Sequence, residues 1–189
     1  MSKKKIKGNA GFPALSIAIV GANVNGVPNF MAVGFVGGVN VTPPIFMVSL
    51  NRNHHTPKGI IENGTFSINI PTPDLIVETD YVGLVSGKKK DKSKIFETFY
   101  GDLGTAPMIS ECAICYELEY LKKTEFEMDI TYFGEVKNIY VDEKAYKDGK
   151  PDLALLNPLI FSGFDGFYYK IGEKLGRAWK IGAKYNKEA

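Results

Sequence analysis

Residues 15–50 read LSIAIVGANVNGVPNFMAVGFVGGVNVTPPIFMVSL, and the fold is decided there. Leu15 to Val24 is rich in Ile, Val and Ala, and its β-branched residues suit a strand. Asn25-Gly26 follows, a pair that accepts the positive φ angles of a tight two-residue hairpin. Phe30 to Val36 then reads as the return strand. Asn40 to Pro44 is a loop, because Pro43-Pro44 has no N–H to give a ladder. Ile45 to Leu50 is a short, almost wholly apolar run, the pattern of a strand buried on both faces. Strands joined by a hairpin and a proline-closed loop begin an antiparallel sheet rather than a βαβ unit.

The pattern continues outward. Thr56-Pro57 predicts a helix with Thr56 as N-cap and Pro57 at the first helical position. Asn63-Gly64 stops that helix, and Thr65 to Ile70 is the next strand. Thr72-Pro73-Asp74 repeats the helix-start signal ahead of a helix over Leu75 to Val85. A charged loop runs from Gly87 to Lys92, and Lys94 to Tyr100 is expected to form another short helix. Cys112 to Leu121 and Phe126 to Val136 alternate in polarity, so the residues between, Lys122 to Glu125, are read as a hairpin loop. Asp142 caps a helical turn and Asp148-Gly149 is a tight turn. Leu155 to Phe161 is a strand interrupted by Pro158, and Tyr168 to Ala183 is an irregular helix or an extended tail. Strands dominate, so the expected fold is mainly β, an antiparallel barrel with peripheral helices in a single domain over residues 1–189.

The bulk numbers narrow the function. The chain has 189 residues, 44% apolar and 23% charged, which is ordinary for a globular domain with its own core. A net charge of +2 gives no bulk field for nucleic acid, so a nucleic-acid-binding barrel is disfavoured. Lys3, Lys4, Lys5 and Lys7 precede an apolar stretch from Phe12 to Ala22 and loosely imitate a secretory signal. Pro13 and Ser16 interrupt that stretch and no small-x-small site closes it, so a cytoplasmic protein without a membrane span is expected.

Several catalytic signatures are missing. Gly34, Gly37 and Gly38 lack the spacing of a dinucleotide turn. The run Gly83-Leu84-Val85-Ser86-Gly87-Lys88-Lys89 is one residue short of a phosphate loop and has no Ser or Thr after its lysine. No nucleophile elbow is present. Cys112 and Cys115 open an alternating strand, where residues three apart point to opposite faces, so they read as packing cysteines rather than a redox pair. With His54 and His55 they also make a poor zinc set. The histidine pair precedes a helix start, a place where anions bind, and also fits a plain exposed loop. Lys88 to Lys94 is a basic cluster that attracts phosphate or simply faces water. Phe161, Phe164, Phe167, Tyr168, Tyr169 and Trp179 are aromatic enough to line a flat-ring pocket or a subunit interface.

An ordered set of short motifs resembles the flavin reductase-like (flavoredoxin-like) family. It runs from Gly26-Val27-Pro28-Asn29-Phe30-Met31 through Asn40-Val41-Thr42-Pro43-Pro44 and Val48-Ser49-Leu50 to His55-Thr56 and Phe66-Ser67-Ile68-Asn69. Ser86-Gly87, Asp91-Lys92, Gly134-Glu135-Val136 and the ending Tyr169, Gly172, Gly176, Ala178 complete it. The resemblance implies a split β-barrel that binds FMN non-covalently near a homodimer interface. By position it assigns FMN contacts to Met31, Ala32, Val33, Gly34 and Phe35, to Ser49, Leu50, Asn51 and Arg52, to His55 and Thr56, and to Ser86 and Lys92. Ala32 and Gly34 stand where relatives often carry small polar residues, which leaves contacts there to the backbone. Thr124-Glu125-Phe126-Glu127 has no histidine where NAD(P)H-using relatives have a Gly-Asp-His turn. The resemblance implies an FMN-dependent oxidoreductase or electron carrier with a redox partner protein or NAD(P)H as donor, the missing histidine favouring the protein, or else a non-catalytic flavin- or ligand-binding module. It names no catalytic acid or base.

Overall fold

The computed structural model describes residues 1–185. A seven-stranded antiparallel sheet organises them. Its strands in chain order are β1 (Ala18–Val24), β2 (Val27–Val33), β3 (Val36–Asn40), β4 (Ile45–Asn51), β5 (Thr65–Ile70), β6 (Ile114–Glu125) and β7 (Asp129–Val141). The order across the sheet is β2-β1-β5-β6-β7-β4-β3. The two edge strands, β2 and β3, are neighbours in sequence, joined only by Gly34-Phe35. The sheet must therefore curl until its ends meet at that link, and no ladder joins them there. This is a split barrel.

Each strand follows from local chemistry. Asn25 and Gly26 both take positive φ (52° and 78°), so the expected β1–β2 hairpin forms. All seven residues of β1 are buried. Ala18, Val20 and Ala22 face the barrel interior with Leu50, Phe66, Ile68 and Leu118. Ile19 faces an outer layer with Phe30, Val82, Phe96 and Met108. Two apolar faces explain the unbroken apolar run. Gly64 ends helix α1 (Thr56–Asn63) in the left-handed region, φ 68°, and its N–H bonds the Ile60 carbonyl. Helix α2 (Ile76–Leu84) follows a 3₁₀ turn at Pro73–Leu75 and packs on β2.

The structure corrects several expectations. Thr56 does not cap α1: His55 is the N-cap, Thr56 is the first helical residue and its side chain turns inward, 1% exposed. The return strand ends at Val33 and a separate strand, β3, begins at Val36. β3 pairs with β4 and its register shifts between Gly38 and Asn40. Lys94 to Tyr100 is not helical. Thr98–Phe99 instead pairs with Met108–Ile109, because two β-propensive residues find a partner edge. Lys122 to Glu125 belong to β6, and the hairpin turns at Phe126–Met128, whose Phe126 and Met128 are exposed. Leu153–Leu156 forms one helical turn capped by Asp152, and only Ile160–Phe161 is strand, between Leu15–Ser16 and Tyr168–Tyr169.

The reasoning about the cysteines also changes. Cys112 precedes β6 and its N–H bonds the Ile109 carbonyl in a turn, so strand alternation does not separate the pair. Cys112 and Cys115 are free thiols in one buried cluster. Burial is what favours the protonated thiols: it pushes Cys112 well above the ordinary thiol range and Cys115 up to about 12. The thiolate is the nucleophile, so both thiols are expected to resist alkylation at neutral pH and to react once the chain unfolds. Labelling of the folded protein at the rate of a free thiol, read by mass, would contradict this.

Candidate functional site

β2 supplies one wall of a polar pocket through Asn29, Met31 and Ala32. The segment leading into α1 adds His54, His55 and Thr56. The end of α2 and the loop after it close the far side with Val82, Gly83, Val85, Ser86, Gly87 and Lys92. Ala32 also borders an apolar cleft, formed with Leu15, Ile17, Val33, Gly34, Phe35, Phe161 and Tyr168. That cleft lies at the link between the two sheet edges. The polar pocket has a volume of about 50 Å³ and the cleft about 260 Å³, so the pocket suits a phosphate-sized group and the cleft a ring.

Lys92 dominates the polar pocket. It is 3% exposed, and its ammonium donates to the Phe30 carbonyl (3.0 Å) and the Val82 carbonyl (2.8 Å). Burial lowers its pKa to about 8. Among the described residues the ion pairs are Lys123–Glu125, Lys137–Glu119 and Lys137–Glu135, all on β6 and β7. No carboxylate oxygen of the described residues therefore lies within 4 Å of the Lys92 ammonium, an arrangement favourable for an anion. His54 is held below the ordinary histidine range by burial and then by the charge of Lys92. His55 is lowered by burial and then by Lys58, Lys88 and Lys92. The lowering favours the neutral imidazole in both, and both feel the same cationic field.

The first turn of α1 offers fewer free donors than a helix start usually does. Pro57 has no N–H, and the Lys58 N–H bonds the His55 carbonyl at 3.2 Å. Side chains therefore carry more of the anion-binding capacity than the backbone. Thr56 is engaged too: Asn29 Nδ2 donates to its hydroxyl at 2.8 Å.

The predicted residues divide into groups. Met31, Ala32, His55, Thr56, Ser86 and Lys92 line the polar pocket, and Ala32, Val33, Gly34 and Phe35 line the cleft. Ser49, Leu50, Asn51 and Arg52 line neither. Ser49 N–H donates to the Phe35 carbonyl at the cleft's edge, while its hydroxyl accepts from Thr131. The Leu50 side chain is in the barrel core. Asn51 Oδ1 accepts from Asn53 N–H, and the Arg52 guanidinium donates to the Phe126 carbonyl at the hairpin tip. Sequence reasoning missed Asn29 and Gly87, which it quoted but did not assign, and it left Leu15, Ile17 and the α2 residues out of the site. Leu15 and Phe161 meet through the pairing of Leu15–Ser16 with Ile160–Phe161, a contact across most of the chain.

Tyr168 closes the cleft. Its ring lies 5.7 Å from that of Phe161, centre to centre, and its hydroxyl donates to Asp80 on α2 at 3.0 Å. Burial and the Asp80 carboxylate push its pKa up to about 12, so it remains a neutral donor.

Comparison with known proteins agrees with this architecture. Residues 13–167 match the flavin reductase like domain. Flavoredoxin from Methanosarcina acetivorans superposes with a TM-score of 0.92 at 42% identity, over 96% of this chain and 98% of that one. Flavoredoxin of Desulfovibrio vulgaris (Miyazaki F) gives 0.90 at 30% identity, over 96% and 100%. An uncharacterised protein of Archaeoglobus fulgidus is 30% identical over 134 residues, 69% of this chain and 75% of its own.

Proposed function

Because the chain belongs to the flavin reductase like family, we propose that it is a flavoprotein that holds FMN non-covalently, works as a homodimer and carries electrons between other proteins. The observation that carries the choice of FMN is Lys92, a buried cation without a carboxylate partner in a pocket the size of a phosphate. Lys92 and the Ser86 hydroxyl would hold the phosphate, and His54 and His55 would gain protons beside it. Ala32, Phe35 and Phe161 would flank the ring in the cleft, and Tyr168 would shield it from water. FMN, when bound, supplies one- and two-electron transfer; the protein's part is to bind, orient and exclude solvent.

The likeness to flavoredoxins supports redox work rather than storage alone. Residues 124–127 at the β6–β7 hairpin tip contain no histidine, which supports a protein donor over NAD(P)H. Among the described residues no helix is long and apolar enough to cross a membrane.

The test begins with the absorbance spectrum of the purified chain, where a flavin band is expected. Calorimetric titration of the flavin-free protein should then show FMN binding at least about tenfold tighter than riboflavin, the scale of one charge-assisted hydrogen bond. Equal affinities would remove the phosphate argument. Anaerobic titration with NADH and NADPH should leave the flavin oxidised, and rapid bleaching by either would replace the carrier reading with a reductase.

A further inference from the structure

The polar pocket has a neighbour. On its outer side lies a second cavity, bordered also by Pro28, Lys90 and Asp91. Asn29, His55, Gly87 and Lys92 border both cavities and so form the wall between them. The wall is tightly built. A Cβ on Gly87 would come within 2.1 Å of Asn29 Oδ1 and 3.0 Å of His55 Cδ2, so only glycine lets the loop backbone press against those two side chains. Asn29 is 6% exposed and is pinned on its other side by its bond to the Thr56 hydroxyl. Swinging Asn29 aside would leave that hydroxyl, 1% exposed, without its partner.

We infer that Asn29, pinned by Thr56 and abutted by Gly87, sets the length of flavin the site accepts by closing it behind a single phosphate. The inference rests on the FMN reading and deepens it. Lys92 explains why a phosphate is preferred to none. The wall explains why a flavin that continues past its first phosphate into a second phosphate and a nucleoside is refused. Beyond the wall, beside Lys90, lies a cavity of about 50 Å³, room for one more phosphate-sized group on the way to the surface, and Asn29 stands between.

Removing the wall side chain should therefore relax selectivity. FMN, FAD and riboflavin are titrated by calorimetry against the flavin-free wild type, Asn29→Ala and Thr56→Val. The wild type is expected to prefer FMN over FAD. In Asn29→Ala that preference should fall by about tenfold or more, the scale of one well-placed contact. Thr56→Val keeps the shape of residue 56 and frees the Asn29 amide, so it should move the preference in the same direction should Asn29→Ala fail to fold. A wild type that binds FAD as tightly as FMN overturns the inference and leaves the FMN site standing. So does an unchanged FMN-to-FAD ratio in both variants. Failure of the wild type to bind any of the three overturns the flavin reading itself.

Discussion

Replacing Lys92 by methionine should weaken FMN binding roughly a hundredfold, about 3 kcal/mol for a desolvated charge partner, and leave riboflavin binding within a few-fold. Methionine keeps most of the length of the side chain and removes the charge. The Phe30 and Val82 carbonyls lose their donor, so some stability is lost as well; riboflavin retention separates that effect from the loss of the phosphate contact. The wild type should carry a matching pH signature. In the free protein Lys92 gives up its proton near pH 8, whereas a neighbouring phosphate holds the proton on. FMN binding then takes up a proton at pH values above about 8, and affinity falls as pH rises through that window. Riboflavin has no phosphate and should show no such slope. The same lowered pKa makes the free protein gain stability as pH rises from about 8 toward the ordinary lysine value, because the unfolded chain binds the extra proton there. Parallel losses of FMN and riboflavin affinity in Lys92→Met would assign Lys92 to structure alone.

Truncation after Gly166 should convert the protein to a monomer and strip its flavin. Beyond that point the chain leaves Phe167, Leu175, Trp179, Ile181 and Tyr185 exposed, Leu175 at 91% and Trp179 at 102%. A single chain leaves these side chains largely to solvent, and a symmetric second copy is the commonest cover for such a surface. The cut also removes Tyr168, which walls the cleft and ties the segment to Asp80. Self-association should weaken by more than about a hundredfold, as expected when buried aromatic anchors are lost. Light scattering combined with flavin absorbance reads both properties at once. A full-length protein that is monomeric at micromolar concentration and still holds FMN would refute the dimer.

Much of the sheet was legible because its signals are local. Asn25-Gly26 specifies its own turn, and the apolar run in β1 marks a strand with two buried faces. The errors arose where a partner distant in sequence decides. Thr98–Phe99 is a strand only because Met108–Ile109 lies alongside it. Lys122 to Lys123 look like loop residues, yet they are exposed positions of a hairpin whose turn comes later. The site divides in the same way. His55, Thr56, Ser86 and Lys92, assigned through motifs that keep a recognisable order, lie together along one pocket. Asn29 was quoted but passed over, since nothing near it in sequence shows that Thr56 and Gly87 will close on it. Arg52 is assigned to the flavin by the resemblance, while the contact its guanidinium makes in the structure, with the Phe126 carbonyl, depends on a hairpin tip far along the chain.

The split in the barrel bears on how this chain avoids aggregation. An open sheet edge is a template on which other chains can add strands. Here β3 is one of the two edges, and it makes a poor template: it spans five residues, carries Gly37 and Gly38, and shifts register before Asn40. The opposite edge strand, β2, has α2 packed against it. Glycine, shortness and a bulge thus guard one side of the opening, and a helix stands beside the other. The seam can stay open enough to form a cleft without inviting a foreign strand into the gap.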